Sequence, residues 1–362
     1  MKWIILLALT MAIAAGVGGY LFFTSRGGEA EDAAAIALAE RIAQAEEREA
    51  SRRQPLPRPE LLPGTEDYPF EVYVETQLQT RARSYQDAAD YAQSYINASV
   101  VYRKTNEVVW DNFRAFNVFY EVDRYAEFDT FGEAVAYASD RDRAFIYYRR
   151  NNAMIWSNFE EVPPAYRISG TEMILQNPEL PRGCEVTSLA MLLQYHGVNV
   201  TKMELADRVT KDETPYRREG GVVYAGHLND GFVGDMTNMQ NFGLGVYHKP
   251  IYELSRYYKP TSTMDLTGCY FGALQRVISM DRPVWIITNA AYRELPASEF
   301  ERWITPRGEL SITRRMHSVL VTGYDEDMIY FNDPLVGQHS APHSDFIMAW
   351  EQMGRQAIAI AE

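Results

Sequence analysis

Residues 176–197 read QNPELPRGCEVTSLAMLLQYHG, a proline-rich loop followed by a helix. The helix is predicted to begin near Cys184 and to end at Gly197. Its apolar residues recur at helical spacing: Val186, Leu189, Ala190 and Leu193. A helix N-terminus favours a thiolate over a thiol, and the thiolate is the nucleophilic form. Cys184, preceded by a Gly183 that leaves room for a substrate, is therefore predicted to be a catalytic nucleophile rather than a buried structural cysteine.

A cysteine nucleophile needs a base, and His317 is the best placed of the six histidines. It opens the apolar run HSVLVTGY, which is typical of a buried strand. The next predicted strand, MIYFND, ends in Asp333, so antiparallel pairing would bring its carboxylate to the imidazole. The imidazole would take the thiol proton and the acid would orient the imidazole. Asn332 is a second candidate for the orienting role, and Asp333 is preferred for its charge.

The tetrahedral intermediate of acyl transfer carries a negative charge and needs hydrogen-bond donors. Gln176 lies on the loop that leads into the predicted helix, eight residues before Cys184. We expect its side-chain amide and the backbone N–H of Cys184 to point at the same oxygen.

Short motifs in the C-terminal part recur in a known family. They are PRGCEVTS (181–188), GFVGD (231–235), GLGVY (243–247), DLTG (265–268), HSVLVTGYD (317–325) and NDPL (332–335). With them, the chain from about residue 165 to 360 resembles the C39-like peptidase family, a papain-like fold related to bacteriocin-leader-processing peptidases. His317 follows Cys184 by 133 residues, within the spacing of roughly 130–150 found in papain-like enzymes.

The resemblance implies one role for each candidate: Cys184 as nucleophile, His317 as base, Asp333 as orienting acid and Gln176 as oxyanion donor. The loop from Gln176 to Cys184 is longer than in the transporter-linked members of the family. The chain also has no ATP-binding domain, so leader processing coupled to export is not implied.

The N-terminal run Ile4–Phe23 has no charged residue. About 20 apolar residues span a bilayer as a helix, so residues 1–24 are predicted to be a single-pass membrane anchor. The alternative is a cleaved secretory signal ending near Ala14, which would release a secreted protein. The body is exported in both cases. Residues 25–64 then form a predicted stalk helix and a proline-rich linker.

Residues 68–113 align without a gap on residues 114–159, with identities that include Trp110/Trp156 and Tyr102/Tyr148. Each copy is predicted to be a β-α-β-β unit, and the pair is predicted to pack as one repeat domain over 65–162. The aromatic residues are interpreted as core, with an envelope-binding surface as the alternative. The peptidase domain is predicted over 163–362.

Composition excludes several classes of protein. The net charge of -14 makes nucleic acid an unfavourable partner. Two cysteines cannot supply a disulfide framework or a four-cysteine zinc site, and Cys269 is interpreted as a packed thiol. A Cys184–Cys269 disulfide would abolish activity. The pair His339 and His343 is rejected as a metal site because Ala-Pro breaks any helix between them, and no cofactor is predicted.

These features together predict an α+β protein: a membrane anchor, a repeat domain and a papain-like C39-type domain. The predicted function is an extracytoplasmic cysteine peptidase that acts on a peptide or protein substrate and is held to the membrane by its N-terminal helix. Two alternatives remain. One is a cell-envelope amidase or transpeptidase that uses the same triad on peptidoglycan peptides. The other is a non-catalytic protein that binds envelope components.

Overall fold

The computed structural model describes residues 67–362, except 76, 96, 105–106 and 121–123. The chain divides into two compact units after Phe113. This boundary lies between the two sequence repeats, inside the predicted repeat domain 65–162, so the second copy shares a unit with the C-terminal part. No helix within the described residues has the length and apolarity needed to cross a bilayer. The predicted anchor (1–24) and the stalk and linker (25–64) lie outside the described residues.

Each repeat has the element order β-β-α-β-β. The first copy contains β1 (Phe70–Val74), β2 (Gln77–Ala82), α1 (Tyr85–Ala92), β3 (Ala98–Tyr102) and β4 (Glu107–Asp111). The second contains β5 (Phe116–Tyr120), β6 (Arg124–Phe128), α2 (Phe131–Ser139), β7 (Phe145–Tyr148) and β8 (Ala153–Ser157). The predicted β-α-β-β order was wrong by one strand. The strand missed in the first copy reads QLQTRA and is largely exposed, so it has no apolar alternation to reveal it.

The two copies also share their sheet order, β2-β1-β3-β4 and β6-β5-β7-β8. Ser84 and Thr130 cap the two helices, each accepting a hydrogen bond from the backbone N–H three residues on. Trp156 is buried in the core of its unit, and Trp110 packs partly buried against the core of the first copy. These positions favour the core interpretation of both tryptophans.

The C-terminal part is a mixture of strands and helices. Its first elements are β9 (Tyr166–Arg167), α3 (Cys184–Tyr195), α4 (Lys202–Arg208), β10 (Lys211–Asp212), β11 (Arg217–Glu219), β12 (Val222–Tyr224), β13 (Phe232–Gly234), β14 (Gly243–Gly245), α5 (His248–Tyr258) and β15 (Thr263–Asp265). The rest are α6 (Phe271–Ser279), β16 (Val284–Asn289), a short 3-10 turn (Ala297–Glu299), β17 (Phe300–Thr305), β18 (Gly308–Thr313), β19 (Met316–Tyr324), β20 (Met328–Asp333), β21 (Gly337–Pro342), α7 (His343–Gln352) and β22 (Ala357–Ile360).

A central antiparallel sheet, in the order β15-β22-β16-β19-β20-β21, organises this part, and β9 pairs with β19 beside it. Successive side chains of its inner strands alternate between two cores. In β16, for example, Val284 and Ile286 face one core, while Trp285 and Ile287 face the other. The core on the Trp285 side is formed with α3, α4 and α5. The opposite core is formed with α6, α7 and the second repeat.

The second repeat is tied to this sheet by hydrogen bonds as well as by apolar packing. The hydroxyl of Tyr148 donates to the carbonyl of Thr263 at 2.6 Å. Arg276 of α6 forms an ion pair with Glu160 at 3.4 Å, just after the repeat. The second repeat is therefore an integral part of the same compact unit as the C-terminal sheet.

Candidate active site

Cys184 is the first residue of α3, as the sequence predicts, and Gly183 is the N-cap residue. A side chain at position 183 would lie 2.5 Å from Cβ of Leu180, on the loop that leads into the helix. Leu180 therefore fills the space that the sequence analysis assigned to a substrate, and the packing of this loop is what requires the glycine. The hydroxyl of Ser188 donates to the carbonyl of Ser318 at 3.1 Å and fixes α3 against β19.

His317 and Asp333 lie together at the end of the central sheet. His317 Nε2 and Asp333 Oδ1 are 2.8 Å apart, and both side chains are 2% exposed. The register of β19 and β20 pairs Leu320 with Asn332. Asp333 therefore lies on the same face as His317, diagonally across the two strands, and Asn332 points to the other face. The amide of Asn332 instead donates to Thr171 and Glu172, both at 3.3 Å.

Several donors converge on the Asp333 carboxylate. Oδ1 accepts the backbone N–H of Leu335 at 2.7 Å in addition to the His317 bond. Burial favours the neutral acid, but the hydrogen bond and charge of His317, with the hydroxyl of Tyr292 and the Leu335 N–H, outweigh it and lower the pKa of Asp333. Asp333 is therefore held as the carboxylate that can orient an imidazole.

Tyr292 belongs to this site and was missed by the sequence analysis. Its hydroxyl donates to Asp333 Oδ2. Burial and the neighbouring carboxylate raise the pKa of Tyr292, so it stays a neutral donor. Its backbone has a φ of +50°, a conformation that is uncommon for a tyrosine. No sequence pattern marks a single tyrosine in the loop after β16 as a partner for a residue 41 positions later.

Gln176 lies between the loop before α3 and the end of β20. Its backbone N–H donates to the carbonyl of Pro334 at 2.8 Å, beside Asp333. Its side-chain Nε2 donates to the carbonyl of Pro181 at 2.8 Å, and the buried Oε1 has no partner among the described residues. The predicted oxyanion donor is thus near the other candidates, with one amide hydrogen bond already directed at the loop before Cys184.

The Cys184 thiol has an environment that the sequence analysis did not anticipate. Its Sγ donates to Oε2 of Glu185 at 3.3 Å. Burial and the charge of Glu185 raise the pKa of Cys184 well above its ordinary value, and the charge of Asp333 acts in the same direction. The Ser318 N–H, directed at the sulfur, opposes them without reversing the effect. The expectation of a thiolate at the helix N-terminus did not include burial or this carboxylate, and both act against the thiolate.

Glu185 itself is fully buried. Its Oε1 accepts the backbone N–H of Val246 at 2.9 Å, and burial raises its pKa to about 7. An acidic residue in the first turn of a helix is ordinarily solvated and favoured by the dipole. In the sequence, its position four residues before Leu189, on the apolar side of α3, was the one sign that Glu185 is buried.

A loop beside Cys184 is held in place by Arg182. The guanidinium donates to the carbonyls of Asp235 and Asn238 at 2.9 and 2.8 Å, while the Asp235 carboxylate accepts the N–H of Thr237 at 2.8 Å. The loop that follows β13 is therefore held in place by hydrogen bonds between side chains and backbone. A cavity of about 450 Å³ adjoins it, with Leu180, Asp235 and Phe242 in its lining and none of Cys184, His317 or Asp333.

The two cysteines are both free and buried, so no disulfide joins Cys184 to Cys269. Cys269 packs in the core that contains α6, and burial raises its pKa. Within the part of the chain that the structure describes, no three His, Cys, Asp or Glu side chains are grouped as metal ligands. The ring of His339 packs against the Tyr292 ring at a tilt of 57°, with 5.5 Å between the centroids.

Comparisons with known proteins agree with the fold. The chain belongs to the Peptidase_C39 like family, whose model matches residues 160–358. The uncharacterized protein YvpB of Bacillus subtilis (strain 168) is 44% identical over 194 residues, which are 52% of this chain and 74% of that protein. A crystal structure from Bacillus anthracis, provisionally described as a C39-like peptidase, has a TM-score of 0.52 and 42% identity. The match covers 55% of this chain and 98% of the chain in that crystal structure. The family resemblance predicted from the sequence is confirmed.

Proposed function

We propose that this protein is a cysteine peptidase that hydrolyses a peptide or amide bond through a covalent acyl-enzyme. The observation that supports this proposal most directly is the buried hydrogen bond of 2.8 Å between His317 and Asp333. The backbone N–H of Ser318, the residue after His317, is directed at the Cys184 sulfur, so β19 brings this oriented histidine to the neighbourhood of the thiol. Nucleophilic catalysis pairs a thiol with a base that a third group orients. Membership of the Peptidase_C39 like family favours the same chemistry.

The proposed first step forms the acyl-enzyme. His317 donates its Nε2–H to Asp333, which leaves Nδ1 as the nitrogen that accepts the Cys184 proton. The sulfur then attacks the substrate carbonyl carbon, and the carbonyl oxygen becomes an oxyanion. The C–N bond breaks as the His317 imidazolium returns its proton to the leaving amine.

The second step releases the acyl group. Water attacks the thioester, gives a proton to His317 and displaces the thiolate, which recovers that proton. In both steps we propose that the oxyanion accepts the Cys184 backbone N–H, which has no acceptor within the helix because Cys184 is its first residue. The second N–H of Gln176 Nε2 would complete the oxyanion site.

We further propose that the peptidase acts outside the cytoplasm and is held at the membrane by the uncharged run Ile4–Phe23. Intact-mass analysis of the native protein tests this part separately. An N-terminus retained in a membrane fraction supports an anchor. A mature chain that starts near Ala15 replaces the anchor by a cleaved signal and leaves export in place.

Activity is tested with the full chain, a peptide library and isolated envelope material, with the products identified by mass spectrometry. We expect Cys184→Ala to reduce hydrolysis to background and the matched control Cys269→Ala to retain it, because Cys269 is a core thiol. Cleavage confined to peptidoglycan peptides would support the amidase or transpeptidase alternative. Binding of either material without any Cys184-dependent cleavage would refute an enzymatic role.

A further inference from the structure

We propose that Glu185 is a positioning residue for the nucleophile: when ionised it holds Cys184 as a thiol, and when protonated it supports the thiolate. This inference rests on the proposed function for its biological meaning, because it assigns Glu185 a part in activating the same sulfur. The physical claim concerns only the state of the Cys184 thiol.

The contact between the two side chains is fixed by packing. Glu185 Oε2 accepts the Cys184 S–H at 3.3 Å, while Oε1 accepts the Val246 N–H at 2.9 Å. The indole of Trp285 donates to the Glu185 carbonyl at 3.0 Å, which fixes the backbone of the same residue. A Cβ at Gly245 would lie 2.2 Å from Oε1, so the carboxyl group occupies space that only a glycine leaves free.

The groups around this contact leave the carboxylate without a countercharge. Val246, the residue after β14, offers its backbone N–H and no charge. On the sheet side, Asp333 on β20 and Tyr292 after β16 interact electrostatically with Cys184, and Asp333 is already paired with His317 on β19. Among the residues that the structure describes, no lysine or arginine forms an ion pair with Glu185. The state of this carboxyl group is therefore coupled mainly to that of Cys184.

The chemistry follows from the sign of the charges. If Glu185 is ionised, removal of the Cys184 proton places two negative charges 3.3 Å apart in a buried site, so the thiol form is favoured. If Glu185 is protonated, its O–H can donate to the sulfur, and the Cys184 proton passes to His317 with no second negative charge nearby. Glu185 keeps its own proton throughout. The pKa of Glu185, raised to about 7 by burial, agrees with a change between these states near neutral pH.

The rate of alkylation by iodoacetamide, measured between pH 5.5 and 8 on the full chain, tests this inference without a substrate. At pH 8 we expect Glu185→Gln to speed alkylation of Cys184 by about tenfold or more, since one unit of thiol pKa changes the thiolate fraction tenfold. At pH 5.5 the variant and the wild type should react at similar rates. The exposed Glu253→Gln is the charge control, and Cys269 is the internal reference. Equal Cys184 rates in Glu185→Gln and wild type at both pH values would overturn the inference.

A second measurement uses the wild-type protein and does not depend on the folding of a variant. The chain has two cysteines, so its infrared spectrum contains S–H stretching bands from two thiols only. We expect the Cys184 band to change between pH 8 and 5.5, while the Cys269 band stays constant. A Cys184 band that is the same at both pH values would contradict the inference. If Cys184→Ala hydrolyses peptides as fast as the wild type, the peptidase proposal is refuted, and these measurements on the thiol are unaffected.

Discussion

Replacing Asp333 by asparagine isolates the contribution of one charge to the proposed mechanism. Oδ1 accepts hydrogen bonds from both His317 and Leu335, so the asparagine must place its amide oxygen there. Its NH₂ group then faces the Tyr292 hydroxyl, which can rotate to accept. His317 and Leu335 keep their acceptor, and His317 keeps its tautomer. The variant is therefore expected to fold and to lose the negative charge together with the hydrogen bond that Tyr292 donates.

The magnitude follows from the geometry of the pair. His317 Nε2 and Asp333 Oδ1 are 2.8 Å apart and shielded from solvent. With roughly 4 Å between the charge centres and an effective dielectric constant of about 20, the attraction is about 4 kcal/mol. Each ~1.4 kcal/mol of lost transition-state stabilisation is a factor of ten in rate. The dipole of the new amide restores part of the attraction, so we expect kcat/KM to fall about 10²- to 10³-fold.

The assay is hydrolysis of a peptide identified in the library screen, with thermal denaturation to show that each variant is folded. Asn332→Ala is the matched control, because its side chain points to the opposite face of the sheet and bonds to Thr171 and Glu172. We expect this control to lose less than about tenfold, since its hydrogen bonds are long and do not involve His317. If Asp333→Asn is as active as the wild type and Asn332→Ala is inactive, the orienting residue has been assigned wrongly.

Three further substitutions follow from other contacts. Tyr292→Phe removes the donor to Asp333 Oδ2 and should lower kcat/KM by about tenfold, as expected for loss of a hydrogen bond to a buried charge; unchanged kinetics would exclude that role. Tyr148→Phe removes the hydrogen bond to Thr263 and should lower the free energy of unfolding by about 1 kcal/mol, with activity retained. Urea denaturation measures this free energy, and a variant as stable as the wild type would show that the bond does not stabilise the fold. The folded-state pKa of Glu185 is about 7 against an ordinary 4.5, so the wild type loses stability as the pH rises through this range. Between pH 5 and 8 the free energy of unfolding of Glu185→Gln should therefore rise by up to about 3 kcal/mol relative to that of the wild type. Parallel curves of stability against pH for the two proteins would refute this prediction.

Local signals in the sequence were sufficient to find the elements that carry the site. The helix begins at Cys184, and the strands Met316–Tyr324 and Met328–Asp333 are antiparallel neighbours, as predicted from apolar runs and a glycine stop. Such patterns reflect burial along one element, and burial is strong for this helix and for these strands. The mixed helix and sheet content of a C39-like peptidase fold is confirmed on the same grounds.

Features that depend on contacts between distant segments were not predictable in this way. The choice between Asn332 and Asp333 depends on strand register, which alternation alone cannot fix. Tyr292 reaches Asp333 from a loop without any pattern, and Glu185 is buried only because Gly245 leaves space for it. The division of the two repeats after Phe113 likewise depends on apolar contacts of the second copy with the central sheet.

The central claim is that Cys184 forms a covalent acyl-enzyme. Rapid acid quenching of the full chain during turnover of a peptide substrate, followed by intact-mass analysis and peptide mapping, measures this directly. We expect a mass increase equal to the acyl part of the substrate, located on Cys184, that grows at the rate of amine release and is absent from Cys184→Ala. Turnover without any adduct on Cys184, together with hydrolysis by Cys184→Ala at the wild-type rate, would contradict the account.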